Sequence, residues 1–291
     1  MSQQNTPKKE SASLRFLYHT ALGRLLLRPL IGRGFSKLGG AFMNSRLSKP
    51  LIKGFIRNNG IDLSEYHAEA FRCFNDCFTR KIREGYRPIG KEPNRLISPC
   101  DAYLSAYPIK EDTVYPIKQS RYTVSDLLGG NPEAERFKGG TCLVFRLCVH
   151  HYHRYCYIDN GTKTENVFLP GKLHTVRPIA LAQYPVFAQN CHEYTLMETE
   201  QFGTVAQIEV GAMLVGKIQN HHGAGPIQKG AEKGMFLYGG STVVLLLEKD
   251  AADLPKAIFE ATEQGLEVPV TYGEAIETAA AKFAEKDLQP I

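Results

Sequence analysis

The chain has 291 residues, 43% hydrophobic and 22% charged. That composition excludes disorder over most of its length and suits one large domain or two small ones. No uncharged apolar run of about 18 residues occurs, so no membrane-spanning helix is expected. The net charge of +5 is unevenly spread: residues 1–57 hold eleven Lys or Arg against one acid, Glu10, and the remainder is mildly acidic. A basic arm on an acidic body points to an anionic partner, nucleic acid or anionic lipid, unless it is only a solvated tail.

The start, MSQQNTPKKESAS, has no apolar h-region, so no secretory signal is expected, and residues 1–12 read as a disordered tail. From Leu14 the segment LRFLYHTALGRLLLRPLIGRGF is apolar but carries Arg15, Arg24, Arg28 and Arg33. This suits a helix in a membrane interface, with long cationic side chains reaching the headgroups. Arg15 falls opposite Arg24, so the polar face is not clean, and packing against a core is an equal alternative. Pro29 should end or kink the helix. A second basic, apolar segment runs from Phe42 to Ile56. Residues 64–84 have the spacing of one more helix, with Ser64 as cap and Ala68, Phe71, Phe74, Phe78 and Ile82 on one face.

After Pro88 the pattern changes to strands, including 143–149, 163–170, 204–210 and 241–248, with turns at Asp159-Asn160-Gly161 and Gly239-Gly240. The tail, about 253–286, returns to helical spacing. The expected fold class is α+β: basic N-terminal helices, a large β-rich body and a short C-terminal helix. The expected divisions are the tail at 1–12, a helical membrane-associating region at 13–88 and a β-rich catalytic domain at 89–291.

Three places invite a chemical reading. Cys148, His150, His151, His153 and Cys156 form a cluster in which His151 and His153 would share a strand face. The spacing matches no common zinc pattern, and His221-His222 would have to complete a site from afar, so no metal is expected. The seven cysteines, with Cys73 and Cys77 at helical spacing, read as reduced thiols. Asp101, after Pro99 and before a strand, is by itself an ordinary turn residue. Ser241 opens a strand after two glycines, where the preceding carbonyl belongs to Gly240 and no side chain blocks attack on it.

Taken together, seven segments in order resemble the phosphatidylserine decarboxylase family of pyruvoyl-dependent enzymes. They are LYHTALGRLLLRPL, FNDCFTRKIREGYRPI, SPCDAYLSAY, FRLCVHHYHRYCYIDNG, GKLHTVRPIAL, TEQFGTVAQIEVGAMLVGKI and KGAEKGMFLYGGSTVVLLLEKD. The resemblance implies a proenzyme that cuts itself between Gly240 and Ser241 and leaves a covalent pyruvoyl group derived from Ser241. The large and small pieces would stay associated. The resemblance also implies a Ser/His/Asp relay, mapped onto Ser241, His153 and Asp101. The substrate amine would form a Schiff base with the pyruvoyl carbonyl, an electron sink for the departing carbon dioxide, with His153 as proton donor. Phosphatidylserine and an anionic membrane surface are the implied partners, with no nucleic acid. The implied address is peripheral, on the cytoplasmic side of the cell membrane.

The chain departs from the family pattern at four positions. His151 stands where Asp is usual, Cys156 where a second His is usual, Ala102 where Gly is common and Gly239 where Leu is familiar. The base of self-cleavage therefore falls to His153, His151 or Cys156, the last two being possible auxiliaries. Two other readings fit the residues: a pyruvoyl enzyme acting on a soluble amino acid, and a non-catalytic β-rich metal-binding protein.

Overall fold

The computed structural model describes residues 12–67, 70–110, 123–175, 180, 184, 186–212, 217–238, 241–282 and 287–290. The expected tail (residues 1–11 of it) and the glycines Gly239 and Gly240 lie outside the described residues. The fold is α+β: helices come first, an antiparallel sheet forms the body, and a short helix lies near the C-terminus.

The basic arm folds as α1 (Ala12–His19), α2 (Ala21–Leu30), α3 (Arg33–Met43) and α4 (Leu51–Asn59). Thr20 separates the first two, accepting a hydrogen bond from the Gly23 N–H at 2.9 Å as an N-cap. Gly23 is required there, since a Cβ would sit 2.0 Å from the Phe16 carbonyl oxygen. Pro29 falls inside α2, which stops one residue later.

The single helix expected over 64–84 is not formed. Ala68 lies outside the described residues; among the described residues of the segment only α5 (Phe74–Phe78) is α-helical after a short 3-10 turn, and residues 65–67 pair with 81–83 through His67 N–H to Lys81 O and Arg83 N–H to Glu65 O. Tertiary contacts override the spacing. Phe74, Cys77 and Phe78 bury against Ile52 of α4, and the Ser48 hydroxyl oxygen accepts from the Phe74 N–H at 2.8 Å.

The body comprises β1 (Ala102–Pro108), a turn of helix α6 (Val124–Leu127), β2 (Thr141–Leu147), β3 (Arg154–Cys156), β4 (Gly161–Lys163) and β5 (Val167–Leu169). There follow α7 (Val186–Gln189), β6 (His192–Thr199), β7 (Thr204–Val210), β8 (Ile218–Asn220), β9 (Gly225–Ile227), β10 (Glu232–Phe236) and β11 (Ser241–Leu247). The chain closes with α8 (Lys256–Glu263), β12 (Leu266–Val270), α9 (Ile276–Lys282) and β13 (Gln289–Pro290). The tail is thus two helices with a strand between them, because Val268 to Val270 extend the main sheet beside β1.

The main sheet runs β13-β12-β1-β2-β11-β7-β6-β4-β9, with β5 also on β6; a small sheet runs β3-β10-β8. Both faces of β11 are buried, which explains the unbroken apolar run TVVLLL. Val243, Leu245 and Leu247 face a core shared with Tyr155, Cys156 and Phe236 of the small sheet. Val244 and Leu246 face a second core shared with Tyr18, Leu27 and Ile31 of the N-terminal arm. The arm therefore packs on the body through one side. Its other side leaves Phe16, Leu22, Leu25, Leu26, Phe35, Leu38 and Phe42 exposed, Leu38 at 74%. Packing against a core describes one side of these helices, and the other side is exposed. Among the described residues no helix is long and apolar enough to cross a membrane.

Candidate active site

The strand order gathers the chemistry at one end of three neighbouring strands. β2 lies between β1 and β11. Ser241, first in β11, pairs with Leu147, last in β2; Tyr103, second in β1, pairs with Arg146. Asp101 sits just before β1, and the histidine segment leaves β2 at Cys148. Two strand spacings separate β1 from β11, about 10 Å, a gap that side chains of the 148–153 segment can occupy. By strand alternation Ser241 shares a face with Val243 and Leu245, the face covered by the small sheet. His153 enters that small sheet through its carbonyl, which accepts from the Phe236 N–H at 2.9 Å.

Ser241 is fully buried, and its hydroxyl has no hydrogen-bond partner among the described residues. Such a group is normally satisfied. His153 is fully buried as well, and its Nε2 is equally unpartnered. Its Nδ1 lies 2.9 Å from the carbonyl oxygen of His151. A carbonyl only accepts, so Nδ1 carries the proton and Nε2 a lone pair. Burial, followed by the charge of Arg80, pushes the His153 pKa down to about 3, so the ring is neutral throughout the physiological range.

His151 is fixed the other way. Its Nδ1 accepts from the Cys148 N–H at 3.0 Å, which puts the proton of the neutral ring on Nε2. Burial and the neighbouring histidines hold its pKa well below the ordinary value. The two rings do not share a strand face, because β3 starts only at Arg154 and both precede it. Cys156 is inside β3, with Sγ donating toward the Ser98 carbonyl at 3.9 Å, and burial pushes its thiol up to about 12. It is a protonated donor, unsuited to accept a proton near neutral pH.

The relay suggested by the sequence is not joined by hydrogen bonds: Asp101 and His153 do not bond each other. Asp101 takes Arg87 through both oxygens, at 2.9 and 2.8 Å, and also accepts from the Tyr272 N–H at 2.8 Å. His153 is held instead by the backbone carbonyl of His151, which accepts from its Nδ1.

Several supporting residues carried no signal of their own in the sequence. Arg80 is buried and donates to the carbonyls of His150 and His151 at 2.9 and 3.3 Å, which fixes the loop that orients His153. Phe78 packs on His153 with ring centroids 4.0 Å apart and on Tyr238 at 5.3 Å. Asn75 accepts from the Tyr238 N–H at 2.9 Å, three residues before Ser241. All lie in FNDCFTRKIREGYRPI, whose apolar spacing gave only a helix. Among the described residues no group of three His, Cys, Asp or Glu could hold a metal ion. His221 bonds Glu232 and His222 bonds Tyr157, while none of the seven cysteines, all among the described residues, forms a disulfide.

A family model described as phosphatidylserine decarboxylase matches residues 74–277. The chain is 45% identical over 268 residues to phosphatidylserine decarboxylase proenzyme 2 of Clostridium acetobutylicum, covering 92% of each chain. It is 40% identical over 269 residues to a phosphatidylserine decarboxylase proenzyme of Clostridium botulinum, covering 90% of this chain and 91% of the other. A proenzyme of the same description from Ruminiclostridium cellulolyticum is 39% identical over 269 residues, covering 90% of each.

Proposed function

The chain belongs to the phosphatidylserine decarboxylase family, and we propose that it is a self-cleaving carboxy-lyase proenzyme that converts phosphatidylserine to phosphatidylethanolamine. The observation that carries this reading is the pair of buried, unpartnered polar atoms, Ser241 Oγ and His153 Nε2, at the same end of β2 and β11.

Cleavage proceeds by attack of Ser241 Oγ on the Gly240 carbonyl carbon. The C–N bond breaks and an ester forms. His153 Nε2 takes the hydroxyl proton and returns it to the departing nitrogen. Loss of the Ser241 α-proton expels the Gly240 carboxylate and leaves dehydroalanine. Water converts this to a ketone with release of ammonia. The products are residues 1–240 with a free carboxylate and residues 241–291 with a pyruvoyl terminus. A buried serine hydroxyl with no competing partner fits a group that is made from it.

The ketone supplies an electron sink for the pair released with carbon dioxide. His153 Nε2, which carries a lone pair, takes the proton that the substrate ammonium gives up and passes it to the product carbon. Asp101 serves as a positioning residue: by holding Arg87 and the Tyr272 N–H it ties the start of β1 to the end of β12 beside the histidine loop. The two pieces stay associated, because β11 of the small piece lies between β2 and β7 of the large one.

A lipid substrate is favoured over a soluble amino acid by the exposed apolar side chains of the arm, interleaved with exposed Arg24, Arg28 and Lys37. These would seat the protein peripherally on an anionic surface, cytoplasmic in location. Decarboxylation of phosphatidylserine vesicles should be compared with that of free serine. Release of carbon dioxide from vesicles alone, abolished in Ser241→Ala, supports the reading. Release from serine alone would overturn the substrate assignment.

A further inference from the structure

A cavity of about 270 Å³ lies between α3 and the segment leading to Ser241. Its wall includes Ser36 and Lys37 of α3, Asn44, Asn75, Lys217 and Tyr238. Three observations single it out. Ser36 is 1% exposed, and its hydroxyl has no partner among the described residues, although a helical serine commonly bonds the carbonyl four residues back. Two cations from distant parts of the sequence, Lys37 and Lys217, both exposed, line the cavity, and no carboxylate does. Tyr238, bonded through its N–H to Asn75, places the cavity three residues from Ser241.

Resting on the reading above, we propose that this cavity is the headgroup subsite and that Lys37, Lys217 and the Ser36 hydroxyl hold the phosphodiester of the lipid. Two acidic groups of phosphatidylserine could meet the lysines, and the chemistry selects one. The carboxylate must lose its charge as carbon dioxide forms. A cation placed on it would stabilise the ground state more than the transition state and slow the reaction. The phosphodiester keeps its charge throughout, so cations there strengthen binding without that penalty. It is also two carbons from the reacting amine, which suits a subsite next to Ser241 and apart from it. The cavity has room for a polar headgroup and not for acyl chains. α3 supplies the division: Ser36 and Lys37 line the cavity, while Phe35, Leu38 and Phe42 on the same helix remain exposed to receive the chains.

The test uses processed protein and two water-soluble probes. Glycerophosphoethanolamine, the product headgroup, is titrated calorimetrically. A short-chain phosphatidylserine kept below its micelle concentration is turned over, so attachment to a membrane plays no part. In Lys37→Ala and Lys217→Ala the affinity for the product headgroup should fall, and KM rise, by about tenfold each, the size of a charge-assisted contact. The kcat should stay within about twofold, since the interaction is equal in ground and transition states. Ser36→Ala should weaken binding less, and Lys256→Ala, an exposed cation away from the cavity, should do nothing. Ethanolamine, which lacks the phosphate, should bind wild type and variants alike. Unchanged headgroup affinity in both lysine variants overturns the proposal, as does a loss confined to kcat. If wild-type protein neither splits nor decarboxylates phosphatidylserine, the functional reading itself fails, a result distinct from either.

Discussion

With His153 as the proposed base, its pKa of about 3 should give self-cleavage an unusual pH profile. An ordinary histidine at 6.5 would be about 3% unprotonated at pH 5, and cleavage between pH 8 and pH 5 would slow about thirtyfold. His153, fully buried beside Arg80 and donating Nδ1–H to a carbonyl, is about 99% unprotonated at pH 5. The rate should therefore stay nearly level down to pH 5. Low basicity makes proton abstraction slow, which a reaction performed once per molecule tolerates, and it favours return of the proton to the leaving nitrogen. The assay is a time course of chain splitting on freshly synthesised precursor, followed on denaturing gels from pH 5 to pH 8. His153→Ala should slow splitting by about 10² to 10⁴. His151→Ala should only slow it modestly, since that change removes the acceptor of the Cys148 N–H and leaves the orienting backbone carbonyl. Cys156→Ala should split nearly normally. An inflection near pH 6.5, or loss of splitting in His151→Ala with retention in His153→Ala, would refute the tautomer argument and move the base to His151.

Other outcomes follow from the same contacts. Because burial depresses the His153 pKa below its unfolded value, its stabilising contribution is complete above about pH 6.5 and is lost as pH falls toward 3, about 5 kcal/mol at the limit; thermal melts should show that acid-side decline flattened in His153→Leu. Asp101→Asn should lower stability by about 2 kcal/mol, measured by denaturant titration, since Arg87 loses its bidentate partner and keeps Glu65 at 3.2 Å. A merely additive result with Arg87→Gln would count against that coupling. Vesicle binding should require anionic lipid and weaken with added salt, and Leu25→Glu with Leu38→Glu should abolish it while splitting continues; equal binding to neutral vesicles would contradict the role given to the arm.

The strands around Ser241 were readable because β11 and β7 are buried on both faces, so their apolar runs admit few alternatives. The N-terminal arm was readable only as a choice between membrane and core, because its helices are apolar on two sides, and burial of Tyr18 and Leu27 beside exposed Leu25 and Leu26 divides them. The segment 64–84 was misread: Phe74 and Phe78 have helical spacing, yet the pairing of Glu65 and His67 with Lys81 and Arg83 is long-range and leaves no periodic trace. In the site, Ser241 and His153 are expectations drawn from the family resemblance, and each has a buried polar atom with no partner among the described residues. The orienting group was not legible, because it is the backbone carbonyl of His151, which any residue type would supply. Arg87 as partner of Asp101, and Arg80 as the clamp on the histidine loop, are likewise contacts between segments that only the folded chain brings together.

The central claim is that the chain remakes its own terminus at Ser241, and a denaturing mass measurement on purified protein tests it most directly. The account predicts two polypeptides, 1–240 and 241–291, the smaller lighter by one ammonia than the corresponding hydrolytic fragment and resistant to Edman sequencing; Ser241→Ala should give one intact chain. A single intact mass for the wild type, or two pieces from Ser241→Ala, would contradict it.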